Sequence, residues 1–450
     1  MQNAEFSPNG NSSADRYGLL ACLILAVALR GAVLFLHADE LTRDRDAYLG
    51  IARSVAQGKG YSTPNLQTPT AFRPPLYPLQ LAGLMVILPD TAAVVVLSLT
   101  WGVIAVWTTW HAGQWLGLGH GSMLAAMLVA VDPMLLQYSA QPMTEVTCAG
   151  LVALLVFWMV RRDGSETLRQ FVVGVLFGAL VLTRPTFWPM AIVVFTGWGL
   201  TRAAKWRHRH QDDQRSESAF AFPWRVMAAT LLVVAPWVIR NQLVMGSPIV
   251  MTTHGGYTLL LANNPVFYSE VVDRGWGREW TQASFERWQQ DLHAALAEQL
   301  GPDASEVDRD RWQSLRAREF IGSAPVGFLR AAWYRVLSLW STRPQGESAA
   351  VGNRLLIRLV AWYYFAVGLA FASGMVLAAV AIVKGGGHQP SRAWWPLIAL
   401  VVTVQLVHLV YWTNARMRAP LVPVISLFAV VAIQRATDFV RASRPASSAR

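Results

Sequence analysis

Charge is scarce in this sequence: Asp, Glu, Lys and Arg make up 14% of its 450 residues, where a soluble domain carries about 25%. A chain so poor in charge, and 54% hydrophobic, is not built to face water on all sides. Cysteine is nearly absent. Cys22 and Cys148 both fall in apolar runs, so neither a disulfide framework nor a metal cluster follows from them. Acidic residues are the scarcer charge, 27 against 38 Lys and Arg, which leaves a formal net charge of +11. In a soluble chain that excess would raise nucleic acid as a partner. In an apolar chain it is expected as Lys and Arg gathered in cytoplasmic loops, with some attraction to lipid phosphates. There is no internal repeat and no low-complexity linker. The first apolar run lacks a basic stretch before it and a small-residue cleavage site after it. It is therefore expected to stay as an anchor.

What the sequence has in abundance is long apolar runs. Residues 17–36, 91–111 and 355–383 are each long enough, as helices, to cross ~30 Å of hydrocarbon. The strongest basic loop, 202–225, centres on Lys205, Arg207 and Arg209 and is placed in the cytoplasm. Arg161, Arg162, Lys384, Arg392, Arg435, Arg441 and Arg444 join it there. Spans at 17–36, 91–111, 122–137, 146–160, 171–182, 187–200, 223–239, 355–383, 393–412 and 419–434 reconcile these loops, with both termini inside. Residues 74–88 are too short to cross and read as an interfacial or re-entrant helix. The expected fold class is an all-α polytopic membrane protein with about ten transmembrane helices and external interfacial helices. Its parts are a cytoplasmic segment 1–16, an N-terminal transmembrane module 17–239 with a functional first external loop 37–75, an external region 240–354, C-terminal transmembrane helices 355–434 and a cytoplasmic tail 435–450. In the external region, residues 284–300 and 311–340 carry apolar residues at helical spacing, the second broken at Pro325. Their Trp, Tyr and interleaved Arg suit a helix lying in the membrane interface.

The first external loop gathers the candidate chemistry. Asp44 and Asp46 stand just outside the first helix, before a short helix at 47–56 and a Gly58-Lys59-Gly60-Tyr61 turn. Two readings stay open. Either Asp44 caps that helix while Asp46 pairs with Arg43 or Arg45, or an acid here is a general base or metal ligand at the membrane edge. Glu145 opens an apolar run, where an acid must be paired or wetted, or is favoured by the helix N-terminus alone. Arg416 and Arg418 at the start of the last run, with Arg73 and Arg240 at similar depth, either snorkel to headgroups or hold an anion. His254, beside Gly255-Gly256, marks a sugar or phosphate contact or a plain turn. Arg30 and Arg184 read as structural, each satisfying carbonyls or an acid between helices. Asp132-Pro133 reads as a kink with a buried polar partner.

The same loop resembles a known family. Asp44, Tyr48, Ile51-Ala52-Arg53, Gly58-Lys59-Gly60-Tyr61 and Pro74-Pro75-Leu76-Tyr77-Pro78 are similar to the bacterial branch of the aminoarabinose transferase and protein O-mannosyltransferase family (glycosyltransferase family 39, of the membrane GT-C architecture). Pro142-Met143-Thr144-Glu145, Leu182-Thr183-Arg184-Pro185, Pro236-Trp237-Val238-Ile239-Arg240-Asn241, His254-Gly255-Gly256, Ala262-Asn263-Asn264-Pro265 and Arg416-Met417-Arg418-Ala419-Pro420 follow in the family's order. The resemblance implies a GT-C fold and a hexosyl or pentosyl transferase in the bacterial inner membrane. It would transfer a sugar from a polyprenyl phosphate to a hydroxyl of a glycan, lipid or protein at the periplasmic face, with inversion. It implies Asp44, Asp46 and Glu145 as catalytic acids, with the spacing to Tyr48 favouring Asp44 as base. Arg73, Arg240, Arg416 and Arg418 would hold the donor phosphate, and Tyr48, Tyr77 and His254 the substrates. The family often has two adjacent acids where Arg45 here separates Asp44 from Asp46, and often has Asp where Glu145 stands. No cofactor is required by the sequence, a divalent cation stays open, membrane lipid is a partner and nucleic acid is not. A transporter or a non-catalytic membrane scaffold is the alternative; the former would show inverted repeats and broken helices near the midplane.

Overall fold

The computed structural model describes residues 13–64, 67–194, 196, 224–275, 277–343, 353–384 and 393–443. The expected cytoplasmic loop 202–225 lies outside the described residues but for its last two positions, as do Arg392, Arg444 and the end of the run 187–200. Among the described residues the chain is helical, with a lone bridge between Ser62 and Pro69. Helix α1 spans Ser13–Leu36, and α2 (Tyr48–Ala56) and α3 (Leu76–Met85) follow in the first loop. Then come α4 (Asp90–Trp115), α5 (Gly121–Ala130), α6 (Pro133–Ser139), α7 (Glu145–Val160), α8 (Glu166–Val181) and α9 (Trp224–Met245). A region of shorter helices comprises α10 (Gly255–Ala262), α11 (Gln282–Leu300), α12 (Glu306–Ser323) and α13 (Pro325–Leu339). The chain closes with α14 (Arg354–Lys384), α15 (Trp395–Val407), a 3-10 turn at Ala415–Leu421 and α16 (Val422–Ser443).

Among the described residues five helices are long and apolar enough to cross a membrane: Asp15–Leu36, Asp90–Trp115, Trp224–Met245, Arg354–Val383 and Ala415–Arg441. The pair α5 and α6 makes a sixth if it is counted as one span, bent by 44°. This corrects the expectation of about ten transmembrane helices. Helices α7 and α8 have 16 residues each, about 24 Å of rise, and α15 has 13; all fall short of ~30 Å. Their apolarity has another cause. Nearly every residue of α7 is buried, enclosed by α4, α8 and α16, and a helix apolar all round is what a protein core also demands. The expected span 122–137 is interrupted at Asp132-Pro133. Pro133 has no amide hydrogen to donate, and the Asp132 carboxylate caps the new helix through the amides of Met134 and Leu135, at 3.1 and 2.9 Å. The Tyr364 hydroxyl, 3.3 Å from the same oxygen, is its buried polar partner.

Lipid-facing surface is concentrated on the long helices. α1 exposes Tyr17, Leu20, Ile24 and Val27, and α14 exposes Leu355, Leu359, Trp362 and Leu369. α14 seats against α16 at Gly374, where an added Cβ would collide with the Phe428 carbonyl, so the close backbone approach needs glycine. Arg30 is wholly buried in α1 and reaches the carbonyls of Ala26 and Ala130 at 3.4 Å. The first loop is tied to the short-helix region by Thr70 on Glu306 at 2.9 Å. Arg240 binds it to the end of α9 through the carbonyls of Thr70 and Tyr61, both at 2.7 Å. These bonds set the loop's Asp and Arg side chains against α7 and the 415–421 turn.

Candidate functional site

The loop reverses at Ala47, a non-glycine residue with φ of 63°, a costly conformation for an L side chain. The reversal sends the two aspartates to different tasks. Asp44 turns back onto α2, its carboxylate accepting from the amides of Leu49 at 3.0 Å and Gly50 at 2.6 Å. Gly50 has no room for a Cβ, which would meet Pro64. Asp46 points the other way. Its Oδ1 accepts from Arg73 Nη2 at 2.8 Å, and its carbonyl accepts from Arg73 Nε at 2.7 Å. Its Oδ2 lies 3.5 Å from Arg416 Nη2. Arg43 and Arg45 pair with Glu40 instead, at 2.6 and 2.9 Å.

Glu145, in the first turn of α7, completes the cluster. Its Oε1 accepts from Arg184 Nη2 at 2.6 Å, while Arg184 Nε donates to Thr144 Oγ1 at 3.1 Å. Arg416 Nε stands 3.1 Å from the same Glu145 oxygen, yet its N–H is not aimed at it and has no hydrogen-bond partner. Arg416 thus leans on both acids while its own donor Nε stays unsatisfied. Side-chain exposure separates the acids: 22% for Asp46 and 24% for Arg416, but 1% for Glu145. Asp46 and Arg416 can be reached, and Glu145 lies beneath them.

Electrostatics follow the geometry. Burial pushes the Asp46 carboxyl up, but Arg73, then Arg416, outweigh it, and it stays charged below the ordinary carboxylate range. His254 is kept neutral: burial first, then Arg73, lower its pKa to about 3. Its ring stacks on Tyr257 at 5.0 Å and meets Phe72 edge-on at 4.4 Å, with a buried Nδ1 that has no partner. Tyr48 and Tyr77 form a buried floor, edge-on at 5.4 Å, with Arg73 lying over Tyr48.

The candidate residues therefore divide. Asp46, Glu145, Arg73 and Arg416 come together, with His254 beside them and the two tyrosines below. Asp44 is spent on α2. Arg240 and Arg418 bind carbonyls, the latter those of Leu339 at 2.8 Å and Ser341 at 2.6 Å. Arg184 joins the cluster as the partner of Glu145. Tyr138 was not singled out by the sequence; its ring lies 5.8 Å from Arg416. On the other side of the 415–421 turn, a mostly apolar cavity of about 550 Å³ is lined by Arg418, Asp132, Tyr364, Phe371, Val401 and Leu406 among others. Among the described residues, no group of three or more His, Cys, Asp and Glu side chains could hold a metal ion.

No protein-family model matches the sequence, and no curated protein sequence does. Solved structures do match. The apo oligosaccharyltransferase of Archaeoglobus fulgidus superposes with a TM-score of 0.53 at 15% identity, over 97% of this chain and 52% of that one. The chain shares its fold with about half of that oligosaccharyltransferase. The same archaeal protein in complex with zinc and sulfate gives 0.51 at 12% identity, over 94% and 49%. With an inhibitory peptide and a dolichol-phosphate, as AglB, it gives 0.51 at 14%, over 98% and 53%. The chain spans about half the length of that relative, and at such identity the likeness is one of fold. It does not show membership of glycosyltransferase family 39.

Proposed function

We propose that this protein is a membrane glycosyltransferase that moves a sugar from a polyprenyl phosphate to an acceptor hydroxyl at the outer membrane face of a bacterial inner membrane. The observation that carries this reading is the ion network of Asp46, Glu145, Arg73, Arg184 and Arg416. Three guanidiniums face two carboxylates, so the cluster has positive charge left over for an anion. A reachable acid stands beside a reachable arginine, the pairing that a displacement at a phosphate-activated sugar requires.

In this reading Asp46 is the general base. Its Oδ2 takes the proton of the acceptor hydroxyl as that oxygen attacks the anomeric carbon. The bond from that carbon to the phosphate oxygen breaks, and its electron pair leaves with the phosphate. One displacement inverts the anomeric centre. Charge grows on the departing phosphate, where Arg416, its side chain partly exposed beside Asp46, is the natural partner; charge-assisted and bidentate contacts are the strong ones. Asp44 is the weaker candidate because two amides already occupy its carboxylate. Glu145 holds Arg184 and Arg416 from below. The apolar cavity beyond the 415–421 turn is suited to an isoprenoid chain, and the AglB structure with dolichol-phosphate is consistent with a lipid phosphate here. The acceptor class, whether glycan, lipid or protein, is open in this proposal.

One candidate span supports the outer face. The basic loop 202–225 belongs in the cytoplasm by its charge, α9 leaves that loop as a candidate span, and Arg240 near its far end bonds to the loop that holds Asp46.

A divalent cation does not fit the residues present. Asp46 Oδ1 and Glu145 Oε1 are already paired with guanidiniums, and the remaining oxygens do not make a ligand set for a hard cation, which takes six or more oxygens, or for zinc, which takes about four ligands. The zinc of the archaeal structure is therefore not carried over.

The test is transfer by the purified chain in lipid nanodiscs, using lipid-linked sugars extracted from the native membrane and, separately, analysis of glycolipids and glycans in a strain lacking the protein. Release of polyprenyl phosphate with a new glycosidic bond is expected. Unchanged glycans in that strain, together with no transfer from any extracted donor, would defeat the proposal.

A further inference from the structure

We infer that the Arg416 guanidinium stands where a bridging divalent cation would otherwise hold the two acids, so that the site meets its anionic ligand through arginine and without a metal. This rests on the reading of the cluster as a phosphate site. Arg416 joins carboxylates from two separate segments, Nη2 at 3.5 Å from Asp46 and Nε at 3.1 Å from Glu145. A bridging ion would need the same space, because it sits within ~2.0–2.6 Å of each ligand oxygen.

The guanidinium is also held in place. Asn414 caps the 3-10 turn by accepting from the Arg416 amide at 3.1 Å. Arg416 Nη1 reaches Met143 Sδ at 3.6 Å, and the Tyr138 ring lies against it. The neighbouring oxygens are committed: Arg73 occupies Asp46 Oδ1 and Arg184 occupies Glu145 Oε1. The one carboxylate oxygen without a partner, Glu145 Oε2, is buried and cannot form a coordination sphere alone. Three fixed guanidiniums would repel an added dication at this range, whereas an anionic phosphate meets the exposed part of the Arg416 side chain.

The experiment is an Mn²⁺ titration of the purified full chain, following the free-ion signal by electron paramagnetic resonance, with a parallel turnover measurement before and after chelation. The wild type is expected to take up no stoichiometric Mn²⁺ and to keep its turnover after chelation. Arg416→Ala uncovers both carboxylates, and uptake that appears only in this variant supports the inference. One Mn²⁺ per chain in the wild type, lost in Asp46→Asn or Glu145→Gln, overturns it, as does turnover that collapses on chelation and returns with Mn²⁺. Equal uptake by the wild type and by Arg416→Ala, unaffected by Asp46→Asn or Glu145→Gln, means that Arg416 covers no cation site and overturns the inference as well. If no sugar is transferred under any condition, the glycosyltransferase reading falls while the titration still decides this point.

Discussion

Two sets of buried or half-buried arginines divide the molecule. Arg73, Arg184 and Arg416 are held by carboxylates. Arg240, Arg335 and Arg418 are held chiefly by backbone carbonyls. The difference is one of exchangeability. A backbone carbonyl is fixed and would be left unpaired if its arginine moved, so the second set acts as staples between segments. A carboxylate partner can be exchanged for the anion of a ligand at smaller cost, because one charge-assisted contact replaces another. The carboxylate-held set therefore has the character of a binding site, and the carbonyl-held set that of a scaffold.

The sharpest way to break this contrast is at the acids. Asp46→Asn is expected to lower turnover by about 10²–10⁴-fold, the range of general-base catalysis, with donor binding little changed. Asp44→Asn keeps an acceptor oxygen for one of the two α2 amides and is expected to leave turnover within a few-fold of wild type. Steady-state transfer by both purified variants measures this. Normal turnover in Asp46→Asn with loss in Asp44→Asn would move the base by two residues.

Next in size is the scaffold. Arg335 is almost wholly buried and donates to the carbonyls of Leu409 and Ala262, both at 2.8 Å. Arg335→Met is expected to cost about 2–6 kcal/mol, at about 1–3 kcal/mol for each of two carbonyls left unpaired, and should appear as loss of monodisperse protein and a lower thermal midpoint. Arg416→Ala should instead leave folding nearly intact and raise the donor KM by about 10–100-fold, the worth of one or two charge-assisted bonds. Should the two variants behave alike in both assays, the division into site and scaffold has no force.

The sequence made part of this legible. Long apolar runs revealed the five long helices, because hydrocarbon thickness demands length. They could not distinguish α7, α8 and α15 from spans, since a helix packed among helices is as apolar as one in lipid. Asp46 and Glu145 were visible as acids beside apolar runs, but their meeting depends on how the first loop lies on α7, which no local pattern records. Arg416 and Arg418 differ by two positions on a tight 3-10 turn, so one faces the acids and the other the cavity, and spacing alone treats them as a pair. Arg184 reads as satisfying carbonyls or an acid between helices, and the structure pairs it with an acid, Glu145. The αL turn at Ala47, which separates the roles of Asp44 and Asp46, has no glycine or asparagine to announce it.

The smallest expected effect tests whether the site's wall is tuned along with its charges. His254 has an ordinary pKa of 6.5 and is lowered to about 3 in the folded protein. Between those values the unfolded chain binds a proton that the folded chain refuses, so stability falls as pH drops below 6.5. The loss approaches about 1.4 kcal/mol per pH unit, and is on the order of 1 kcal/mol near pH 5.5. Asp46 acts in a lower window. Its folded pKa lies below 3.8, so the stability it contributes is present above that value and is lost as pH falls through its folded pKa. The interval from 6.5 down to about 4 therefore separates the two groups. His254→Phe keeps an aromatic ring between Tyr257 and Phe72 but cannot be protonated. Thermal midpoints measured in detergent across this interval should fall less steeply with acid in the variant than in the wild type. Parallel slopes would mean that His254 shares its surroundings with enough water to take its proton, and that the wall beside Asp46 is open and not sealed by the ring.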